Sequence, residues 1–359
     1  QSGVSFQVLE ASDGVGGRVR TDKVEGFLLD RGFQVLLTAY PEAREILDYQ
    51  ALDLRAFYPG ALIRWGGRFY RFADPWRRPV DGVRGVLSPI GTLGDKLRIP
   101  GLRRRVLRGT LSDLYGLKET TTLQALRNMG FSANIIDRFF KPFIGGVFLD
   151  DRLNVSSRMF EFCFRMFALG DNVLPSRGMG AIPEQIASRL PAQTIRTRAR
   201  VASVFEGGVK LVDGEEINGR ATVIATEGPE AARLLGEENA RGSQSVTCLY
   251  FDAAEPPLLE PILVLNGEGG GPINNLCIPS AVAPLYAPQG RALVSVTVLG
   301  NPNQNDQLLE TAVRAQLTEW FGLSVKGWRY LHTYRIPHAL PTQVPPVSDP
   351  ISRPHQIRS

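Results

Sequence analysis

Val8-Leu9-Glu10-Ala11-Ser12-Asp13-Gly14-Val15-Gly16-Gly17-Arg18 runs on to Asp30-Arg31-Gly32-Phe33-Gln34 near the start of the chain. A short apolar run, Phe6 to Leu9, ends in a carboxylate at Glu10, and a glycine-rich loop and an arginine follow. In a dinucleotide-binding βαβ unit, an acidic residue at the end of the second strand accepts hydrogen bonds from the adenosine ribose hydroxyls, and Glu10 is spaced for that role. Gly14, Gly16 and Gly17 permit positive φ and close backbone approach, while Arg18 offers a charge-assisted donor to a diphosphate. The competing reading is a tight turn with a solvated arginine. Spacing alone leaves the two even, because short glycine motifs recur in unrelated folds.

Leu9-Glu10-Ala11, Gly16-Gly17-Arg18-Val19-Arg20-Thr21 and Phe27-Leu28-Leu29-Asp30-Arg31-Gly32 together resemble the opening of the flavin amine oxidase superfamily, which includes monoamine oxidases, protoporphyrinogen oxidases and phytoene desaturases. Gly32-Phe33-Gln34 is most similar to the desaturase side. The resemblance implies FAD as cofactor: Glu10 on its ribose, Gly16, Gly17 and Arg18 along its diphosphate, and Gly32, Phe33 and Gln34 near the flavin ring. Pro175-Ser176-Arg177-Gly178-Met179 resembles the family's Pro-x-x-Gly-Met segment, which adds Gly178 and Met179. It also implies Val201 near the adenine through its backbone, with Ala225 and Thr226 closing the site. Trp328 to Pro341 resembles the late segment, a strand running into Ala-x-Pro near the flavin.

The family opens with a strand, a GxGxxG loop and a helix. Gln1-Ser2-Gly3 reads as the tail of that helix, with Gly3 as its C-terminal glycine. The chain stops at Ile357-Arg358-Ser359, ahead of the family's closing Gly-Asp segment. The expectation is a sequence lacking both ends of its cofactor domain and, if these residues stand alone, weak or no FAD binding, since the helix N-terminus that faces the pyrophosphate falls outside them.

A chain of 359 residues suits two or more domains, and 43% hydrophobic with 21% charged residues is ordinary globular composition. The net charge of +5 fits an anionic cofactor or membrane surface and is too diffuse to argue for nucleic acid. Cys163, Cys248 and Cys277 lie far apart without metal-ligand spacing, so each is expected in a core, in a reducing compartment, cytoplasmic or plastid-like. No metal or Ser-His-Asp constellation stands out, and His332, His338 and His355 read as surface or hydrogen-bonded residues. Catalytic residues are not identifiable.

Along the chain, a helix is expected from Pro41 to Tyr49, then a hairpin over 62–72 around Gly66-Gly67. From Pro75 to Leu174 the pattern turns helical. Within 94–109, Lys96, Arg98, Arg103, Arg104, Arg105 and Arg108 interleave with Leu97, Ile99, Leu102, Val106 and Leu107, which suits either a helix on an anionic bilayer or a basic surface helix, and Pro100-Gly101 interrupts the period. Phe139 to Phe148 and Ser156 to Phe167 are dense in phenylalanine and methionine, either a core or the wall of an apolar tunnel. Lys141 reads as a base of depressed pKa or, more commonly, a snorkelling surface residue. A helix at 182–190, strands at 194–205 and 209–211, and a buried strand at 221–226 follow. Strands at 246–251 and 292–299 and a helix at 307–321 complete the pattern.

The expected fold is α/β: a split FAD-binding Rossmann-like domain with a mixed β-sheet substrate domain and a helical insertion. The expected segments are 1–72 and 175–235 for the FAD-binding domain, 73–174 for the insertion, 236–340 for the substrate domain and 341–359 for a return to the cofactor domain. The expected function is FAD-dependent oxidation or desaturation of a hydrophobic small molecule, carotenoid-desaturase-like first. Protoporphyrinogen-oxidase-like and amine-oxidase-like activities come next, and a flavin- or lipid-binding scaffold without turnover is the reading of another class.

Overall fold

The alternation around Gly66-Gly67 folds as a hairpin: Gly60–Trp65 pairs antiparallel with Arg68–Ala73. Both glycines sit at positive φ, +57° and +73°, as a two-residue turn of this hand requires. These details come from a computed structural model that describes residues 3–237 and 242–347. The readings of Gln1-Ser2 as a helix tail, of His355, and of 348–359 within the return segment lie outside the described residues.

The hairpin does not stay beside the glycine loop. Leu263–Asn266 pairs in parallel with Gly60–Trp65, so the hairpin forms one edge of a seven-stranded mixed sheet. The order across that sheet is Arg329–Pro341, Ser243–Ala253, Ala292–Leu299, Asn275–Cys277, Leu263–Asn266, Gly60–Trp65, Arg68–Ala73. The grouping of 60–72 with the cofactor segment is thereby corrected, and the reason is burial. Ala61, Leu62, Ile63 and Arg64 are all buried, and a run covered on both faces needs neighbours that a free hairpin lacks.

Helix Asp306–Phe321 covers one face of the sheet. Its Leu309, Val313, Leu317 and Trp320 recur at helical spacing and pack with Leu249, Phe251, Val294 and Val296. The Asn305 side chain caps it by accepting from the Leu308 N–H at 2.9 Å. On the other face Phe27, Leu29, Tyr250 and Tyr286 form a second core.

The helical insertion has its own core. Leu93–Leu107 runs unbroken through Pro100 where an interruption was expected. A capping box at Thr92 and Asp95 anchors its start, and Leu102 and Val106 pack against Leu126, Phe131 and Phe160. That burial outweighs the hydrogen bond the proline removes. The apolar half of 94–109 is therefore largely spent on the core. Ile136–Phe140 forms a π-helical turn running into Lys141–Phe148. Pro142 has no N–H and crowds the carbonyl one α-turn back, and the wider turn relieves both.

On the cofactor side Val8–Leu9 pairs in parallel with Ile195–Arg196, and Val201–Phe205, Gly208–Leu211 and Glu216–Asn218 form a three-stranded sheet. The expected strand 194–205 is broken at Arg198, which takes a left-handed φ of +55°. The expected buried strand at 221–226 is not formed. Those residues are coil, Ala225 and Thr226 are exposed, and no strand among the described residues lies alongside to complete a ladder.

Candidate active site

Residues 8 to 12 are zipped onto 194 to 199. The Glu10 N–H donates to the Arg196 carbonyl at 2.9 Å, the Ala199 N–H to the Glu10 carbonyl at 2.9 Å, and the Arg198 N–H to the Ser12 carbonyl at 2.7 Å. Glu10 is half-buried, and its Oε1 accepts from the Ser12 N–H at 2.7 Å, which fixes the carboxylate at the strand end. Gly16 must be glycine: its φ is +108°, and a Cβ would lie 2.4 Å from the Val19 carbonyl and 2.8 Å from Pro183. Gly17 presents open backbone, with no atom within 4 Å of where its Cβ would be.

Arg18 is exposed and donates from Nη1 to the carbonyls of His338, at 2.9 Å, and Ala339. The Gln34 amide donates to the Arg18 carbonyl at 2.8 Å. The glycine loop, Gln34 and the end of the strand Arg329–Pro341 are thus gathered at one place, as sequence spacing of more than 300 residues could not reveal.

Gly178 and Met179 meet a different partner. The Met179 N–H donates to Asp30 Oδ1 at 2.9 Å, and Gly180 N–H to Thr21 Oγ1 at 2.8 Å. Gly178, at φ +92°, lies so close to Thr21 that a Cβ would approach it to 2.5 Å. Asp30 is the centre of this knot. It is buried, accepts also from Thr21 Oγ1 at 2.5 Å and Tyr286 Oη at 2.8 Å, and its carbonyl accepts from Tyr250 Oη at 2.8 Å. Burial pushes its carboxyl up to about 6, against the pull of those donors. Sequence reasoning quoted Asp30 only as part of a motif. The signal was there: a charged residue closing an apolar strand, Phe27–Asp30, requires buried partners.

Val201 follows two residues after the Ala199 contact with Glu10, and its carbonyl accepts from Arg233 Nη2 at 3.1 Å. Ala225 and Thr226 precede the helix Gly228–Leu235 that carries Arg233, and they stand in exposed coil.

Beside the loop opens a cavity of about 850 Å³. Arg18, Gly32, Phe33, Gln34, Ile336, Ala339 and Leu340 line it, together with Phe57, Phe72, Phe139, Phe140, Phe143, Phe164 and Phe167. Asn172, Asn275 and Thr297 supply polar points on its wall. Arg31, also on the wall, is held by Asp22 at 2.9 Å. Both sequence readings of the phenylalanine-rich helices apply at once: Phe160 is core, while Phe143 and Phe167 are wall.

Several candidates fall outside this site. Lys141 pairs with Asp137 at 2.7 Å with its side chain partly open to solvent. His338 bonds Ser243 Oγ at 2.7 Å, and His332 packs edge-on against Tyr334. All three cysteines are buried and unpaired, and burial pushes the Cys163 thiol up to about 12, so it carries no thiolate near neutrality.

The model of the flavin-containing amine oxidoreductase family matches residues 1–351. The chain belongs to that family. It is an FAD-dependent oxidoreductase with an α/β, Rossmann-like fold. Its solved neighbours are distant in sequence and alike in fold. They include an oxidoreductase from Methanosarcina mazei, 16% identical over 95% of this chain and 84% of that one, with a TM-score of 0.67. A candidate protoporphyrinogen oxidase from Exiguobacterium sp. 255-15 is 18% identical over 94% and 82%, at 0.66. Cyclohexylamine oxidase from Brevibacterium oxydans IH-35A is 16% identical over 93% and 79%, also at 0.66.

Proposed function

We propose that this FAD-dependent oxidoreductase dehydrogenates a hydrophobic, carotenoid-like small molecule. The observation that carries the reading is the cavity of about 850 Å³, walled by seven phenylalanines from Phe57 to Phe167 and bordered by Gly32, Phe33, Gln34 and Ala339. The residues present fit the cofactor in their chemistry: a fixed carboxylate, an open glycine backbone and a guanidinium lie in sequence along one loop. Glu10 would accept from the ribose hydroxyls, Gly16, Gly17 and Arg18 would line the diphosphate, and Val201 would border the adenine. Gly32, Phe33 and Gln34 would border the flavin ring. Gly178, packed on Thr21, and Met179, bonded to Asp30, would support the cofactor from behind, and Ala225 and Thr226 would close the outer side.

When bound, FAD supplies the acceptor for a hydride. The chain's part is to hold the substrate, turn it and keep water out. Phenylalanine walls favour a polyene over a charged amine, because burying an unpaired ammonium there costs several kcal/mol by order of magnitude, about the penalty of an isolated buried ion. Asn172, Asn275 and Thr297 would orient the few polar groups of such a substrate.

Glu10→Ala is expected to weaken FAD binding roughly tenfold to a hundredfold, the loss of hydrogen bonds to one charged acceptor, read by titrating the apoprotein with FAD. The substrate class is tested by incubating the flavin-loaded protein with a carotenoid precursor in detergent, a porphyrinogen and an alkyl amine. Extension of the conjugated chain, seen as a red-shifted absorption band, is the expected product. Turnover of the amine alone would overturn the reading.

A further inference from the structure

The helix Pro79–Val86 is built inside out. Gly82 packs on Pro75, where a Cβ would come within 2.6 Å, and Gly85 faces the Arg71 carbonyl. The larger side chains point the other way, with Val80, Val83 and Val86 exposed. Leu87, at 88% exposure, and Leu93 and Leu97 continue the apolar surface. The segment is contiguous in space: Lys96 Nζ donates to the carbonyls of Val86 and Ser88 at 2.6 Å, and the Arg103 guanidinium lies 4.6 Å from the exposed Trp76 ring. A surface helix ordinarily turns its apolar stripe inward, so four valine and leucine side chains held outward by a glycine seam are unpartnered by design of the backbone.

The charge around this surface is one-sided. Residues 75–109 hold nine basic and two acidic residues, a net +7 where the whole chain nets +5. Both acids are engaged, Asp81 by Tyr58 Oη at 2.6 Å and Asp95 by Thr92 and Ser132. Arg98, Arg104 and Arg108 are exposed. Trp76, Val83, Val86, Lys96 and Arg103 also line the cavity, so its rim lies in this patch.

We propose that this surface docks on an anionic lipid bilayer. The valine face of Pro79–Val86 sits in the interface, the arginines meet lipid phosphates, and the cavity rim turns toward the acyl layer, from which a hydrophobic substrate enters. Apolar burial and cationic attraction add in such contacts, and an interfacial tryptophan belongs at that depth. Among the described residues no helix is long and apolar enough to cross a membrane. The patch keeps the basic residues expected at 94–109 but takes most of its apolar surface from 76–87, because Leu102 and Val106 are buried. The substrate route rests on the function proposed above; the docking does not.

The test is co-sedimentation of the flavin-loaded protein with vesicles of phosphatidylglycerol and phosphatidylcholine in equal parts, against phosphatidylcholine alone. Binding is expected to be roughly tenfold or more stronger on the anionic vesicles and to fall with salt. The double variant V80D/L87D, whose altered residues are exposed and do not line the cavity, should lose it by a similar factor while melting temperature and FAD content hold. V223D, an equally exposed apolar position elsewhere, should bind like the wild type. The proposal is overturned if neither vesicle pulls the protein down, or if V80D/L87D binds unchanged. It is also overturned if the wild type sediments as a dimer that V80D/L87D dissociates, which would make the patch a contact between two copies. Docking without turnover of any hydrophobic substrate removes the proposed function and leaves the docking standing.

Discussion

Asp30→Ala is expected to lower the unfolding free energy by at least about 3 kcal/mol, measured by urea denaturation, because it strands several buried donors at once. The Met179 N–H, Thr21 hydroxyl and Tyr286 hydroxyl all lose their acceptor. Asp30→Asn keeps the shape and most of the bonds, since both hydroxyls can rotate to accept from the new amide. Its effect should appear in the pH dependence instead. Burial raises the Asp30 carboxyl from 3.8 to about 6 in the folded state, so folding takes up a proton between those values. This group's stabilisation is therefore complete below pH ~4 and is lost as pH rises through about 6. A rise of that size is worth on the order of 3 kcal/mol, and the wild type minus Asp30→Asn difference should shift by that order between pH 7 and pH 3.5. Taking the difference matters because Asp22 works in the opposite sense. Burial pushes Asp22 up, but bonds from Arg31 and Tyr334 outweigh it, and its stabilisation fades on acidification. A flat difference would remove Asp30 as the buried node. Because Asp30 stands two residues before Gly32, its alanine variant should also release FAD more readily.

The second large effect separates core from wall within the phenylalanine-rich insertion. Phe160→Ala should cost about 3–5 kcal/mol, the range for deleting a fully buried ring that the core cannot refill. Phe160 is sealed from solvent, lies off the cavity wall, and sits against Phe140 and Phe164 with ring centroids 6.1 and 5.8 Å away. Phe143, stacked on Phe139 at 5.3 Å, is only half-buried and faces the cavity. Phe143→Ala should lose less stability and raise KM for a hydrophobic substrate roughly tenfold with kcat held, the signature of lost uniform binding. Equal stability losses for the two, with KM unmoved in Phe143→Ala, would mean the insertion is packing alone.

What the sequence made legible was local or motif-borne. Alternation and glycine pairs located the hairpin at 60–73 and the strand Ala292–Leu299, and the 3.6-residue period located Asp306–Phe321. The acidic strand end and the Gly16-Gly17-Arg18 loop were legible because a glycine whose Cβ would strike its own turn leaves a mark at short range. Long-range placement was not legible. The parallel pairing of Gly60–Trp65 with Leu263–Asn266 joins residues about 200 positions apart, and the Tyr286–Asp30 bond spans 256. Ala221–Thr226 misled because an apolar run satisfies the strand pattern whether or not a neighbour is present to pair with it. Pro100 misled in the other direction: a helix held at its cap and along its buried side carries a proline through.

An anaerobic absorption spectrum of the full-length, flavin-loaded protein, taken before and after addition of a detergent-dispersed polyene precursor, tests the proposed chemistry at the cofactor itself. Dehydrogenation of a carotenoid-like substrate predicts oxidised-flavin bands that persist in buffer and detergent, bleach when the polyene is added, and return on admission of oxygen or a quinone. Flavin bands that a hydrophobic polyene leaves untouched, but that photoreduction bleaches reversibly, would contradict it.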